Sequence, residues 1–342
     1  MYNHMNSTSV GLTNQPYHKE TIVSIPKAKL PELYRKLYLC RAFEDITIKL
    51  FMNSELPGFL HSQKGQEAIP VGVSACLEDG DFVQPTHRGH ADMLSKGMDP
   101  KRMMAELYAK KTGYNQGKSG SMHMASIEEG VLGATGIVGS GPTISIGAAL
   151  ALQMDHKSNV VISYFGDGAA NEGSVHESIS MAAIWKLPIV FVIQNNQFAE
   201  STPRKDHQKV ENLADRAKGY GIDGYTCDGN DVFSVYETAS KAIKKAREGG
   251  GPSLINAITY RIMGHYVGDP GTLYRDKEEV EEAKKRDPIL KFKAKLIDMK
   301  VLTEKQIESI EREVNVLLDD SVAFAKASPE PADEELYTYI YN

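Results

Sequence analysis

The chain has 342 residues, with 41% hydrophobic and 25% charged residues and a formal net charge of −6. This size and composition predict one large globular α/β domain with extensions. The negative charge argues against general affinity for nucleic acid, and the lack of a long apolar run argues against a membrane-spanning protein.

Cysteine usage and the first residues predict a cytoplasmic protein. Cys40, Cys76 and Cys227 are far apart and form no CxxC pair, which is typical of reduced thiols rather than of a disulfide framework. Residues 1–20 contain neither a hydrophobic signal core nor an arginine. We expect residues 1–30 to form a loosely ordered arm, followed by a single domain at residues 31–342.

Helices are predicted along the first third of the chain, at residues 31–53, 64–77 and 99–111. Pro31 and Pro100 suit the first turns of the first and third helices. Residues 81–89 are expected to form a polar loop. Residues 112–141 are rich in glycine and show no regular element, and a long ordered loop inside a compact domain is usually functional. A helix of small residues is expected at 142–154.

A strand, a helix and a second strand are predicted next. Residues 160–165 form a short β-branched and aromatic run that stops at Gly166, and residues 189–193 form a second such run. Between them, residues 174–187 carry apolar side chains at helical spacing and end before Pro188. These lengths suit a βαβ crossover, so the two strands should be parallel.

Asp167 and Asn196 directly follow these two predicted strands. Parallel strands end at the same edge of a sheet, so both side chains should lie close together where α/β proteins bind ligands. A carboxylate and an amide oxygen suit a hard cation that is bound to a diphosphate. Gly166 and Gly168 would let the backbone approach phosphate oxygens closely.

The remaining chain continues the alternation of strands and helices. Strands are expected near Tyr225 and at residues 253–259, with a helix at 232–248 between them. From Lys277 the chain is charged and mostly helical. The predicted fold class is therefore α/β, a doubly wound and mostly parallel sheet with helical N- and C-terminal extensions.

Three histidines lie in polar or glycine-rich contexts that suit proton transfer: His61, His90 and His265. His90 is the strongest of these candidates for a functional histidine, because Arg88 beside it could hold a phosphate. His207 is expected to be a surface residue. A nucleotide-binding P-loop is rejected at residues 113–119, because Gly113 and Gly117 are separated by three residues where the motif needs four.

Several motifs in order resemble the α subunit of the E1 component of 2-oxo acid dehydrogenase complexes, a family that includes pyruvate, branched-chain 2-oxo acid and acetoin dehydrogenases. From Arg41 onward these motifs are RAFED, PGFLHSQKGQEA, GKSGSMHM, GIVGSGP, FGDGAANEG, SMAAIWKLP, QNN and GHYVGDPGTLYR. The resemblance implies the thiamin diphosphate-binding fold, with thiamin diphosphate and Mg²⁺ as cofactors.

The resemblance also implies which residues form the site. Asp167 and Asn196 match magnesium ligands, with the backbone carbonyl of Phe198 as a further one. His90 matches a catalytic-loop histidine, and His61 matches another active-site histidine near the substrate. The residues matched to thiamin diphosphate binding are His87, Arg88, Gly136, Ile137, Val138, Asp167, Gly168, Ala169, Asn196 and His265.

Some positions depart from the family pattern. His87 stands where many pyruvate and branched-chain members have tyrosine, and the string THRGH is similar to the acetoin branch. Tyr266 stands where the mitochondrial pyruvate enzyme has a regulated serine, which puts that kinase control in doubt. Phe198 replaces a frequent tyrosine, which matters little if the ligand is its carbonyl.

The function that the resemblance implies is cleavage of acetoin or decarboxylation of a 2-oxo acid, with transfer of the hydroxyalkyl or acyl group to a lipoyl-bearing E2 acyltransferase. In that family an essential glutamate lies on a separate E1 β subunit, so an α2β2 heterotetramer is expected. Acetoin is the favoured small carbonyl substrate, with pyruvate and branched 2-oxo acids as alternatives. A non-catalytic assembly subunit and a nicotinamide oxidoreductase are the alternatives from other classes.

Overall fold

The computed structural model describes residues 25–338. The strands of this part of the chain, in order, are β1 (Phe82–Gln84), β2 (Val161–Gly166), β3 (Ile189–Asn195), β4 (Phe198–Ala199), β5 (Thr202–Pro203), β6 (Asp223–Asp228) and β7 (Ser253–Ile258). Five of them form one sheet with the order β1-β2-β3-β7-β6, and all neighbours in it are parallel. Strands β4 and β5 pair as a short antiparallel hairpin.

Helices precede, connect and follow these strands. In chain order they are α1 (Leu30–Met52), α2 (Ala68–Ser74), α3 (His90–Lys96), α4 (Pro100–Leu107), α5 (Gly141–Met154), α6 (Gly173–Trp185), α7 (Arg204–His207), α8 (Ala217–Tyr220), α9 (Val232–Arg247), α10 (Lys277–Lys284), α11 (Pro288–Asp298) and α12 (Glu304–Ala327). None of these helices is long and apolar enough to cross a membrane.

The core lies on both faces of the sheet. Successive side chains of a strand point to opposite faces, so the apolar runs of β2 and β3 are buried on both sides. Val161 and Phe165 pack with α5 and α6 on one face. Ile162 and Tyr164 belong to the second cluster, which includes side chains of α2 and α9. The predicted doubly wound α/β fold is confirmed.

The helical extensions pack against each other beside the sheet. Helix α12 contacts both α1 and α4, and the hydroxyl of Tyr34 donates to Glu311 Oε1 at 2.6 Å. A capping box formed by Thr303 and Gln306 fixes the start of α12. The predicted arm at residues 1–30 lies outside the described residues up to position 24. Ile25 and Leu30, at its end, are buried in the core.

Four elements differ from the prediction. The expected loop at residues 81–89 contains β1, a three-residue edge strand, which is too short to show a periodicity in sequence. Helix α3 begins at His90, in a stretch for which no element was predicted. The helix expected at 64–77 is restricted to α2, and α4 ends four residues earlier than expected, where Ala109 adopts a φ of 55°.

The glycine-rich loop at residues 112–141 is held by one buried carboxylate. Glu106 on α4 is fully buried, and its two oxygens accept the backbone N–H groups of Asn115, Gly117 and Ser119 at 2.7–2.9 Å. At Gly113, a Cβ atom would lie 2.4 Å from Glu106 Oε2, so only glycine fits. The loop is therefore ordered without regular secondary structure, as predicted.

Candidate active site at the carboxyl edge of the sheet

A cavity of about 480 Å³ opens where β2 and β3 end. The parallel register places Gly166 opposite Gln194, so Asp167 and Asn196 follow adjacent strands at one edge, as predicted. Nearly all residues that were matched to thiamin diphosphate binding line this cavity. They are His87, Arg88, Gly136, Ile137, Val138, Gly168, Ala169, Asn196 and His265; Asp167 is fully buried just beneath the lining.

The carboxylate of Asp167 is buried without a compensating donor. The residue is 0% exposed, and neither carboxylate oxygen has a hydrogen-bond partner among the described residues. Its backbone carbonyl, in contrast, accepts a hydrogen bond from Gln208 Nε2 at 2.7 Å. A buried carboxylate is costly unless it is paired or binds a metal. The side chain therefore fits a cation ligand.

Asn196 is oriented so that its oxygen stays near the strand end. Its Nδ2 donates to Gln66 Oε1 at 3.3 Å, and its Oδ1 accepts the N–H of Phe198 at 3.2 Å. Phe198 itself lines the cavity at the start of β4. A carboxylate, an amide oxygen and a backbone carbonyl are the oxygen ligands that Mg²⁺ and Ca²⁺ use. The donor set thus suits the predicted ion, while the ligand roles remain predictions.

Small residues keep the space beside the strand ends free. A Cβ atom at Gly168 would lie 2.7 Å from the Cβ of Ala199, so glycine lets this turn pack against β4. A short 3₁₀ turn at Ala169–Asn171 separates Gly168 from α6. Ile137, which is 73% exposed, and Val138, which is half exposed, line the same cavity. These apolar side chains are placed to contact a ligand or a partner.

Arg88 brings a buried positive charge to the cavity wall. Its guanidinium donates to the backbone carbonyls of Ser62 and His265, both at 2.7 Å. Burial, together with the nearby Arg261, lowers the pKa of Arg88 to about 9, which leaves it charged at neutral pH. Both donated bonds go to uncharged carbonyls, so the charge is available to an anion such as a diphosphate.

Three histidines meet beside these arginines. The ring centroids of His61 and His87 are 4.8 Å apart, and those of His61 and His265 are 5.0 Å apart. Burial, and then the positive charge of Arg88, lower the pKa of His61 to about 3, of His87 to about 2 and of His265 to about 4. All three rings are thus neutral near pH 7.

The tautomer of His265 follows from its neighbours. Its Nδ1 lies 3.3 Å from a guanidinium nitrogen of Arg88 and 3.3 Å from one of Arg261. Guanidinium groups only donate, so Nδ1 must accept, and in the neutral ring Nε2 carries the proton. The nitrogens of the three histidines lie within 4.8 Å of one another, but two adjacent guanidinium groups favour an anion over a metal ion at this place.

His90 lies outside the cavity lining. Its side chain is 1% exposed, its Nδ1 is 3.2 Å from Glu44 Oε1, and its Nε2 is 2.8 Å from Ser121 Oγ. This position does not support direct contact with a substrate. It suits a role in joining α1 to the glycine-rich loop, whose residue Met122 lines the cavity.

Sequence reasoning missed several residues of the site. His207 is not a surface residue: its side chain is 12% exposed and its Nε2 lies 3.4 Å from Asp167 Oδ2. Arg261 is 1% exposed and lines the cavity. The string RIMGH drew attention to His265 alone, and an arginine four residues before it on a glycine-containing loop was a usable signal. For His207, 40 positions after Asp167 in a short helix, the sequence offers no comparable signal.

Comparison with known proteins indicates one family. A family model described as dehydrogenase E1 component matches residues 35–334. The α subunit of acetoin:2,6-dichlorophenolindophenol oxidoreductase from Bacillus subtilis is 44% identical over 319 residues, 93% of this chain and 95% of the relative. The protein of the same name from Cupriavidus necator is 42% identical over 95% of this chain and 96% of the relative. The pyruvate dehydrogenase E1 component α subunit of Rhizobium meliloti is 40% identical over 94% of this chain and 92% of the relative.

Proposed function

This chain belongs to the dehydrogenase E1 component family, and from that membership we propose that it is the α subunit of a thiamin diphosphate-dependent E1 enzyme that acts on acetoin. The single observation that carries the proposal is the buried carboxylate of Asp167, which lacks a hydrogen-bond partner among the described residues and lies beside Asn196 at the cavity. The divalent cation that accompanies a bound diphosphate would supply the missing charge compensation.

We expect one group of cavity residues to bind the diphosphate and its cation, and another group to contact the rings of the cofactor. Asp167, Asn196 and the carbonyl of Phe198 would hold Mg²⁺, and Arg88 would hold the diphosphate. Gly168 and Ala169 line the cavity next to the cation ligands. Gly136, Ile137 and Val138 also line the cavity, where they would hold the rings of thiamin diphosphate.

Thiamin diphosphate supplies a carbon nucleophile and an electron sink when it is bound. The histidines of this chain would position and move protons around the substrate. His61 and His265 are neutral near pH 7, so each can donate from one nitrogen and accept at the other. His265 accepts at Nδ1 from two arginines, which leaves its Nε2–H to donate to an oxygen of the substrate or the diphosphate.

We further propose that the site is completed by an E1 β subunit in an α2β2 heterotetramer. Ile137 is 73% exposed and Val138 is half exposed, although both are apolar side chains that line the cavity. A partner that covers them would exclude water from the site, which strengthens electrostatic interactions there. A lipoyl-bearing E2 acyltransferase would then take over the product group, and all of these proteins would work in the cytoplasm.

Acetoin is proposed as the substrate over pyruvate and branched 2-oxo acids. The relatives from Bacillus subtilis and Cupriavidus necator carry acetoin in their names, at 44% and 42% identity. The pyruvate dehydrogenase α subunit of Rhizobium meliloti follows at 40%. These values are close, so the substrate has to be measured.

The test is a substrate panel on the chain reconstituted with its β subunit, thiamin diphosphate and Mg²⁺. Reduction of an artificial electron acceptor is followed with acetoin, pyruvate and branched 2-oxo acids. A kcat/KM for acetoin well above those for the 2-oxo acids is expected. A higher value for pyruvate would reassign the substrate, and inactivity with every compound would favour a non-catalytic assembly subunit.

A nicotinamide oxidoreductase is not favoured by the site. Dinucleotide-binding folds carry GxGxxG directly after a strand. After β2 the chain reads Gly166-Asp167-Gly168, and the position of the third glycine is Asn171. The acidic residue inside this turn is also buried at the place where a dinucleotide would need N–H donors for its phosphates.

A further inference from the structure

The segment at residues 203–216, here called the strap, is fastened to the turn that contains Asp167. Gln208 Nε2 donates to the backbone carbonyl of Asp167 at 2.7 Å, and Asn171 Nδ2 donates to the carbonyl of His207 at 2.8 Å. Arg216 at the end of the strap donates to Ala170 O and, at 2.8 Å, to Asn171 Oδ1. The strap and the turn are therefore held together at several points.

This attachment places an imidazole against the carboxylate of Asp167. His207 is the last residue of α7, its side chain is 12% exposed, and its Nε2 lies 3.4 Å from Asp167 Oδ2. Neither ring nitrogen of His207 and neither carboxylate oxygen of Asp167 has a hydrogen-bond partner among the described residues. The two unpartnered groups thus face each other in a buried place.

The position of His207 relative to the cavity indicates which carboxylate oxygen of Asp167 it can bind. Asn196 and Phe198 line the cavity, whereas His207 does not. The imidazole therefore contacts Asp167 from outside the cavity lining. One carboxylate oxygen is then covered by His207, and the other remains for an ion at the cavity edge.

We propose that His207 is a positioning residue that donates from Nε2 to Asp167 Oδ2 and so turns Oδ1 toward the divalent cation. The inference rests on the proposed function, because it assumes that Asp167 binds the cation. Carboxylates that bind metals are usually themselves hydrogen-bonded, and loss of such a partner typically weakens metal binding by about 10- to 100-fold. A shift of a few tenths of an ångström brings 3.4 Å into the hydrogen-bonding range.

The strap makes this arrangement specific to His207. Arg216 also donates to Gln208 Oε1 at 2.6 Å, and so orients the amide that binds the carbonyl of Asp167. Two consecutive residues of the strap therefore contact Asp167: His207 lies against its carboxylate, and Gln208 binds its backbone carbonyl. Lys205, two residues before His207 on the same short helix, is exposed and serves as a matched control.

The experiment measures cation affinity rather than turnover. Mn²⁺ is titrated calorimetrically into the complete α and β complex at saturating thiamin diphosphate, for the wild type, His207→Ala, His207→Gln and Lys205→Ala. We expect about 10- to 100-fold weaker Mn²⁺ binding in His207→Ala. In His207→Gln, whose amide can still donate, affinity should return to within about threefold of the wild type, and Lys205→Ala should match the wild type.

Electron spin-echo spectroscopy of the bound Mn²⁺ gives an independent readout. A positioning role predicts no directly bonded histidine nitrogen on the ion, in the wild type and in the variants. A strong nitrogen coupling that disappears in His207→Ala would overturn the positioning role, because His207 would then be a ligand. Equal Mn²⁺ affinity of the wild type and His207→Ala would also overturn it.

The two proposals fail in different ways. If the wild-type complex binds thiamin diphosphate without any dependence on a divalent cation, the proposed function itself is contradicted. If the wild type shows that dependence and His207→Ala retains full cation affinity, only the role of His207 is contradicted. Thermal unfolding of each variant in the presence of chelator checks that the strap variants remain folded.

Discussion

The guanidinium of Arg88 donates to the backbone carbonyl of His265 at 2.7 Å and so joins two loops that are 177 residues apart in sequence. A second bond from Arg88 reaches the carbonyl of Ser62, next to His61. One buried charge therefore fixes two of the three histidines at the cavity.

Replacement of Arg88 should weaken cofactor binding and loosen the His265 loop together. Hydrogen bonds to charged groups contribute about 1.5–3 kcal/mol, so Arg88→Ala should raise the Kd of thiamin diphosphate roughly 10- to 100-fold. Calorimetry measures the affinity, and limited proteolysis at residues 261–275 measures the loop. Arg35→Ala, which removes an exposed arginine of α1 paired with Glu313, is the control. An unchanged Kd in Arg88→Ala would remove this residue from the binding site.

Asp167→Asn should separate stability from cofactor binding. The wild-type carboxylate is buried without a hydrogen-bond donor among the described residues. Removal of its charge should stabilise the cation-free protein by about 1–3 kcal/mol, while cation-dependent cofactor affinity falls by roughly 100-fold or more. Denaturation in chelator and calorimetry with Mg²⁺ measure the two effects. A less stable cation-free variant would show that His207 or another protein group already compensates the charge of Asp167 when no cation is bound.

The neutral histidines predict a pH dependence of stability. Burial and Arg88 lower the pKa of His61 to about 3 and of His265 to about 4, against a usual value near 6.5. The unfolded chain then binds more protons than the folded chain below about pH 6.5, so stability is present above that pH and is lost as the pH falls toward 4. Each such histidine contributes a slope of up to about 1.4 kcal/mol per pH unit.

Between pH 6.5 and 5 the difference in slope between a variant and the wild type isolates this effect, because other groups that titrate there, such as Asp92 with its pKa raised by burial to about 7, are the same in both proteins. Chemical denaturation across that window should show a smaller slope for His61→Gln than for the wild type. His156→Asn, which changes an exposed histidine, should keep the wild-type slope. If His61→Gln and the wild type have equal slopes, His61 is not buried in its neutral form.

Glu106→Gln should loosen the glycine-rich loop. The carboxylate accepts three backbone N–H groups of residues 115–119 at 2.7–2.9 Å, and an amide in its place presents two donors to them. Each buried group left unsatisfied costs about 1–3 kcal/mol. Hydrogen exchange of residues 113–123 should accelerate by at least about tenfold, while the exposed Glu128→Gln leaves it unchanged. Equal protection in both variants would mean that the loop is held elsewhere.

The βαβ unit around Asp167 was predictable because its signals are local. The strands at Val161–Gly166 and Ile189–Asn195 are apolar runs that stop at glycine or follow proline, and their parallel pairing fixes where Asp167 and Asn196 lie. The predicted cavity residues other than Asp167 and His90 line one cavity for the same reason, since they follow strand ends or lie in the glycine-rich loops.

What escaped prediction depends on partners that are distant in sequence. Glu106 binds a loop through backbone N–H groups, which leave no mark on composition. His207 approaches Asp167 only because the strap is fastened by Gln208 and Arg216. His90 lies in a polar string that gives no sign of burial, yet as the first residue of α3 it is turned into the interior toward Glu44.

The most direct test of the account is an omission experiment on acceptor reduction with acetoin. The chain, its β subunit, thiamin diphosphate and Mg²⁺ are combined, and each component is then left out in turn. We predict turnover only when all four are present, because in the proposed function this chain holds the cation and the diphosphate and the β subunit completes the site. Turnover by this chain without the β subunit, or without thiamin diphosphate, would contradict the account.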